Sequence, residues 1–370
     1  MSPSNLQALT LLCSLALLVG ACGNNASAPT DASADAPQAD ASGELPVQDA
    51  RQDNSRDVED DASDTPPTYT VASQDIMVSY TTQRPAGSNE TRSFPARVRY
   101  PVGFDGEARV VLVSHGGSGN PQGYTKLAHI GEALAANGFV SVHPSHISSG
   151  VGPVHRWDRP KDISALLDHL EAMPAVSWEG FPSSINLEQV GHVGHSWGAY
   201  TAHAVGGALF DNLATGDREA FGVDPRVAAV VPISPQGWGQ FGAFDETQQI
   251  DSASEENSWM NFAPPSFAII GALELDGVVG VEDPEQCPSC FRTEGWRAIP
   301  FERYPADGSK HQAIVPEQSH FSIIQGDGEV GAYVSQNIVR FFEVYLRANA
   351  ELKATIGQLN FVQGTQVSSK

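Results

Sequence analysis

Ser196 stands at the centre of Gly194-His195-Ser196-Trp197-Gly198, a Gly-x-Ser-x-Gly spacing. An apolar strand, Val190 to Gly194, leads into it, and a helix-forming run, Ala199 to Leu213, follows. A serine at the tip of such a strand-turn-helix is held in a strained conformation with its hydroxyl exposed, which is the nucleophile-elbow arrangement. Glycines on both sides let strand and helix crowd together. The N-terminus of the helix aims its amides at the reacting centre. Ser196 is therefore expected to act as an activated nucleophile.

A serine needs a base. The elbow arrangement orders its partners nucleophile, acid, histidine along the chain. His320, in the loop Pro316 to Ser322, is the last histidine and fits that order. His311 is the runner-up but opens a strand-like run, and His192 and His195 lie on or beside the elbow strand, where packing roles are expected. The acid should follow the apolar run Phe267–Gly271. Glu274 and Asp276 are both placed for it, Glu274 favoured by position and Asp276 by residue type, with Asp283 a weaker third. Such a carboxylate orients the imidazole and stabilises its cation. The oxyanion needs two N–H donors, expected from Trp197, which follows the nucleophile, and from Gly117, with Ser118 behind it, after the strand that ends at Ser114-His115. His115 reads as a loop-shaping residue. No metal or organic cofactor is needed for this chemistry.

The elements that must position these groups follow from periodicity. Alternating runs at 70–73, 76–80 and 96–101 predict half-exposed antiparallel strands. Buried-strand runs at 108–115, 139–144, 227–233 and 267–271 alternate with helical patterns at 124–135, 161–173 and 329–350, and a last strand is expected at 299–304. Strands alternating with helices predict an α/β fold with a mainly parallel sheet covered on both faces. Such sheets place their sites at strand C-termini. Trp238 and Phe241 are candidates for lining an acyl pocket.

The rest of the chain is organised around that domain. Leu11 to Val19 is an apolar run too short to span a bilayer, which takes about 20 residues, so residues 1–22 read as a signal peptide. Val19-Gly20-Ala21-Cys22 resembles the lipobox of bacterial lipoproteins, which implies acylation of Cys22 and a lipid-anchored protein of the cell envelope; simple secretion is the alternative. Residues 23–67 are rich in Ala, Ser, Asp and Pro, with few apolar residues, and read as a disordered acidic tether. The catalytic domain is expected over residues 68–350, followed by a tail at 351–370. The chain has 44 acidic against 21 basic residues, a net charge of −23, and no basic stripe, which argues against nucleic-acid binding. Cys287-Pro288-Ser289-Cys290 predicts a local disulfide in an exported domain.

His115-Gly116-Gly117, Arg159-Pro160-Lys161-Asp162-Ile163, Gly194-His195-Ser196-Trp197-Gly198-Ala199 and Ser319-His320 occur in this order. Together they resemble α/β hydrolases of the dienelactone-hydrolase-like and platelet-activating-factor-acetylhydrolase-like branch; bacterial polyester hydrolases and chlorophyllases look similar. The resemblance spans residues 110–342. It implies an α/β-hydrolase fold and hydrolysis of a small-molecule or lipid ester through an acyl-enzyme. Two departures stand out: dienelactone hydrolase uses a cysteine where this chain has Ser196, and the family acid is usually Asp where this chain has Glu274. An amidase or peptidase on the same triad, or a non-catalytic surface binding module, are the alternatives.

Overall fold

The computed structural model describes residues 68–83, 89–117, 122–147, 154–173, 178–211, 218–237, 258–275 and 295–370. The signal, the tether, Cys22, Ser118, Trp238, Phe241, Asp276, Asp283, Cys287 and Cys290 lie outside these residues.

The chain enters through a long antiparallel pair, β1 (Val71–Gln83) and β2 (Asn89–Pro101), so the two short runs expected at 70–73 and 76–80 are one strand. Then come β3 (Glu107–Ser114), α1 (Ala128–Ala136), β4 (Val140–Pro144), α2 (Val154–Ala172), β5 (Ser184–His195) and α3 (Trp197–Val205). A small ribbon, β6 (Leu209–Asp211) with β7 (Arg218–Ala220), precedes β8 (Val227–Ile233) and β9 (Ser266–Gly271). The chain closes with α4 (Ile299–Arg303), β10 (Lys310–Val315), α5 (Gly328–Leu346) and β11 (Gln366–Ser369).

One nine-stranded sheet runs in the order β1-β2-β4-β3-β5-β8-β9-β10-β11. The strands from β4 to β10 in that order are mutually parallel, while β1, β2 and β11 pair antiparallel at the two edges. Successive side chains of a strand point to opposite faces, and β3 shows the result. Val110 and Leu112 pack with Ile163, Leu166 and Leu167 of α2 and Tyr200 of α3 on one face. Val111 and Val113 pack with Ile130 and Leu134 of α1 and Ile338, Phe341 and Phe342 of α5 on the other. Both faces are covered, which is why the parallel strands read as unbroken apolar runs.

Besides the merged β1, and α2, which begins at Val154 rather than 161 and carries Pro160 within it, three elements differ from the sequence expectation. The run at 299–304 is the helix α4, because Pro300 at its start is pre-organised for a helix and a short apolar run does not by itself choose between helix and strand. The parallel strand in that part of the chain is β10. The helix after Ser196 ends at Val205 rather than Leu213, stopped by Gly206 and by Gly207 at φ 99°. Residues 351–370, read as a tail, return to the sheet as β11, pairing with β10 from His311 to Ile314.

Candidate active site

The C-terminal ends of the parallel strands carry the candidate groups. Ser196 follows β5, the Gly116-Gly117 turn follows β3, Ser234 follows β8, Glu274 follows β9 and His320 follows β10.

Ser196 has φ 54° and ψ −114°, a left-handed conformation that a non-glycine residue holds only under strain, at a cost of about 1–3 kcal/mol. Its amide donates to the Ile233 carbonyl at 3.0 Å and its carbonyl accepts from Tyr200 N–H at 3.1 Å, so backbone bonds on both sides fix the turn. A serine at a helix N-cap normally bonds the first amides through its hydroxyl. Here Oγ makes no such bond. The flanking glycines are required by contact. A Cβ at Gly194 would run into the Gly198 carbonyl, and one at Gly198 into the Ser114 carbonyl.

His320 meets Glu274 directly: Nδ1 lies 2.8 Å from Oε2. With Nδ1 donating there, Nε2 is the nitrogen left for a proton transfer. Glu274 is buried and multiply held. Its Oε1 accepts from Ser234 Oγ at 2.6 Å and from Gly271 N–H at 3.2 Å, and Arg297 Nε lies 2.5 Å from Oε2. Burial pushes the carboxyl pKa up, but the His320 hydrogen bond and the Arg297 charge outweigh it and hold the group below the usual glutamate range. Arg297 is itself anchored on the carbonyls of Ser234 and Pro235, at 2.6 and 3.0 Å. Ser234 sits at φ 49°, a second strained non-glycine residue one sheet position from the first.

Ser196, Trp197, Gly116, Gly117, His195 and His320 line one cavity of about 510 Å³, with Lys126, Leu127, Phe321 and Ile324 around it. Ser196 Oγ and the His320 ring share that cavity without a direct hydrogen bond; in ligand-free sites such bonds often tighten only once substrate is bound. A smaller cavity of about 270 Å³ opens near the starts of β4 and β5, lined by Val140, Leu170, Trp178 and Phe181 among others, and among the described residues no titratable side chain lines it.

The remaining histidines separate cleanly. His311 is held between Ser369 Oγ and Tyr345 OH, both at 2.8 Å, away from the cavity. His192 is buried with Nε2 2.8 Å from Ser114 Oγ. His195 does more than pack. Burial, with the neighbouring His320, pushes its pKa down to about 3, so the ring is neutral, and its Nε2–H donates to the His320 carbonyl at 2.8 Å. It thus ties the loop of His320 to the strand that leads into Ser196, the two rings lying 4.6 Å apart. His115 shapes its loop as expected: Nε2 accepts from His146 N–H at 3.1 Å and Nδ1–H donates to the Gly116 carbonyl at 2.8 Å.

Glu274 is brought to His320, and Asp276 lies outside the described residues. Sequence reasoning missed Ser234 and Arg297. Ser234 ends an apolar strand run at the edge where sites form, and that position was a usable signal. Arg297 follows a stretch without periodicity, and nothing local marks it as the partner of a buried carboxylate.

No protein-family model matches this chain, and no curated protein sequence matches it.

Proposed function

We propose that the protein is a serine hydrolase of the α/β-hydrolase fold that cleaves carboxylic esters through an acyl-enzyme. The observation that carries this reading is the Glu274–His320 pair at 2.8 Å, opening onto the same cavity as the strained Ser196. The strand order, with the nucleophile after β5, the acid after β9 and the histidine after β10, supports the fold assignment.

The steps follow from the groups. Ser196 Oγ attacks the ester carbonyl carbon while His320 Nε2 takes its proton. The carbonyl electron pair moves onto oxygen, which Gly117 and Trp197 N–H groups stabilise. Removing one donor of this kind costs about 2.7–4 kcal/mol. The tetrahedral species collapses, the alcohol leaves with the proton from His320, and Ser196 remains acylated. Water, deprotonated by His320, then releases the acid. Glu274 keeps the imidazole in its productive tautomer and stabilises the cation. A cavity of this size lies within the roughly 300–1,000 Å³ of small-molecule sites, and its apolar rim of Leu127, Trp197, Phe321 and Ile324 suits an ester with an apolar portion.

The lipobox-like segment supports a cell-envelope location for this activity, through acylation of Cys22. One experiment reads both parts. A fluorophosphonate probe applied to the protein purified from the envelope fraction is expected to modify Ser196, with hydrolysis of p-nitrophenyl butyrate lost in step. Mass spectrometry of the same sample is expected to show an acylated N-terminus at Cys22. Folded protein that stays unlabelled at Ser196 and inert towards esters would leave the binding-module reading in place.

A further inference from the structure

We propose that Arg159 is the positioning residue of the oxyanion hole, its buried guanidinium pinning the carbonyls of His115 and Gly117 so that the Gly117 N–H is presented to the oxygen developing over Ser196. This rests on the hydrolase reading above.

The Gly116-Gly117 turn has little rigidity of its own. Gly117 stands at φ 74°, a conformation glycine enters and leaves freely. Yet the turn must lie against the nucleophile: a Cβ on Gly116 would stand 2.8 Å from His195 Nδ1 and 3.1 Å from Ser196 Cβ. Three consecutive carbonyls are tied back. Arg159 Nη1 donates to His115 O at 2.9 Å, His115 Nδ1 to Gly116 O at 2.8 Å, and Arg159 Nη2 to Gly117 O at 2.7 Å. No peptide bond is cis among the described residues. In a trans peptide the N–H points opposite to the preceding C=O. His115, by holding the Gly116 carbonyl, therefore turns the Gly117 amide the other way, while Arg159 holds the His115 carbonyl, opposite the Gly116 amide, and the Gly117 carbonyl, so that it clamps the peptides on either side of the one that carries the Gly117 N–H; both glycines line the cavity with Ser196.

Stability alone does not account for such an arginine. Arg159 is fully buried and forms no direct ion pair among the described residues, and an unpaired buried charge is costly. Its nearest compensation is Asp162, one turn along α2, which is already shared with Arg92, Tyr80 and His146. Burial pushes the Arg159 pKa down to about 9, with Asp162 opposing, so the group is charged at neutral pH. A planar fork spans two carbonyls, whereas a lysine reaches one at a time.

The test uses the full-length protein with Arg159→Lys, Arg159→Met and, as a stability control, Arg226→Met. Arg226 bonds Asp224, Glu171 and Asp168 and so braces the far half of α2 without touching the turn. Arg159→Met is expected to lower kcat for p-nitrophenyl butyrate by about 10²-fold. KM should stay nearly constant, and the inhibition constant of a trifluoromethyl ketone, whose adduct needs the oxyanion donors, should rise in parallel. Arg159→Lys should fall between, and Arg226→Met should lower Tm and keep kcat. If the Arg159 variants lose no more kcat than Arg226→Met, or bind the ketone as tightly as wild type, the proposal is overturned. Failure of both Arg159 variants to fold would assign the residue to folding and overturn it too. A wild type inert to ester and fluorophosphonate alike removes the hydrolase reading and this one with it; an active wild type with indifferent Arg159 variants removes this one alone.

Discussion

Glu274 shows how the neighbours of a single side chain set its charge and orientation. It is buried, yet four groups hold it as a carboxylate: Ser234 Oγ, Gly271 N–H, His320 Nδ1 and the Arg297 guanidinium. Replacing Glu274 by Gln keeps the shape and removes the charge. An amide has one oxygen and one NH2, so it cannot accept from Ser234 and Gly271 on one side and from His320 on the other. The imidazole then loses its orienting acceptor, and kcat is expected to fall by about 10³–10⁴. Arg297 is left buried without its partner, which costs roughly 3 kcal/mol or more. Kinetics and chemical denaturation of Glu274→Gln measure the two effects separately. Equal kcat for wild type and variant would show that another carboxylate orients His320. The sequence could nominate Glu274 because the acid must follow a parallel strand, but it could not separate Glu274 from Asp276, two residues apart in the same loop. The burial of Glu274 and its contact with Arg297 are properties of the folded chain, which the local sequence does not carry.

At the scale of elements, the site depends on how closely β5, α3 and β3 approach one another. Gly198 lies inside α3, where alanine would ordinarily be preferred by about 1 kcal/mol. A Cβ there would meet the Ser114 carbonyl at the end of β3, which is backbone and cannot swing aside. The clash therefore outweighs the propensity. Gly198→Ala is expected to destabilise by about 1–3 kcal/mol and to slow fluorophosphonate labelling of Ser196, because α3 must move away from β3. A variant more stable than wild type would mean that the two elements do not touch there. This closeness was legible in the sequence: glycines two residues either side of Ser196, between an apolar strand and a helical run, have a mechanical meaning wherever they stand. The alternation of buried strands with helices was legible for the same reason, since period and length are local. The helical state of α4 and the return of the chain to the sheet at β11 were not. Each is decided by what the segment packs against: α4 starts on a proline in an ambiguous run, and β11 gains its pairing only from β10, more than fifty residues earlier.

Several histidine rings sit neutral in the interior of the domain, and that sets how it should respond to acid. Burial pushes His192, His195 and His203 down to about 3 and His311 to about 4, and holds His143 well below the ordinary histidine range. In the unfolded chain each of these takes up a proton near pH 6.5, roughly the unperturbed value. Between that pH and the folded value, the unfolded state binds more protons. Stability is therefore complete above pH 6.5 and is lost as pH falls. At pH 5 the loss is about 2 kcal/mol per ring for a shift of this size. Two or three such rings match a large part of a domain's total stability of about 5–15 kcal/mol. The net charge of −23 acts in the opposite sense, since protonating carboxylates relieves self-repulsion. Most carboxylates, however, titrate near pH 4, below the window in which the histidines respond. Tm is thus expected to be level from pH 7 to 9 and to fall steeply between pH 6.5 and 5, as followed by scanning calorimetry. Replacing His203 by Phe, which fills the same interior position among Trp259, Phe262 and Tyr304 without a titrating nitrogen, should make that descent shallower. A Tm that stays level down to pH 5 would mean that these rings accept protons in the folded state, and so that water or a carboxylate reaches them inside the core.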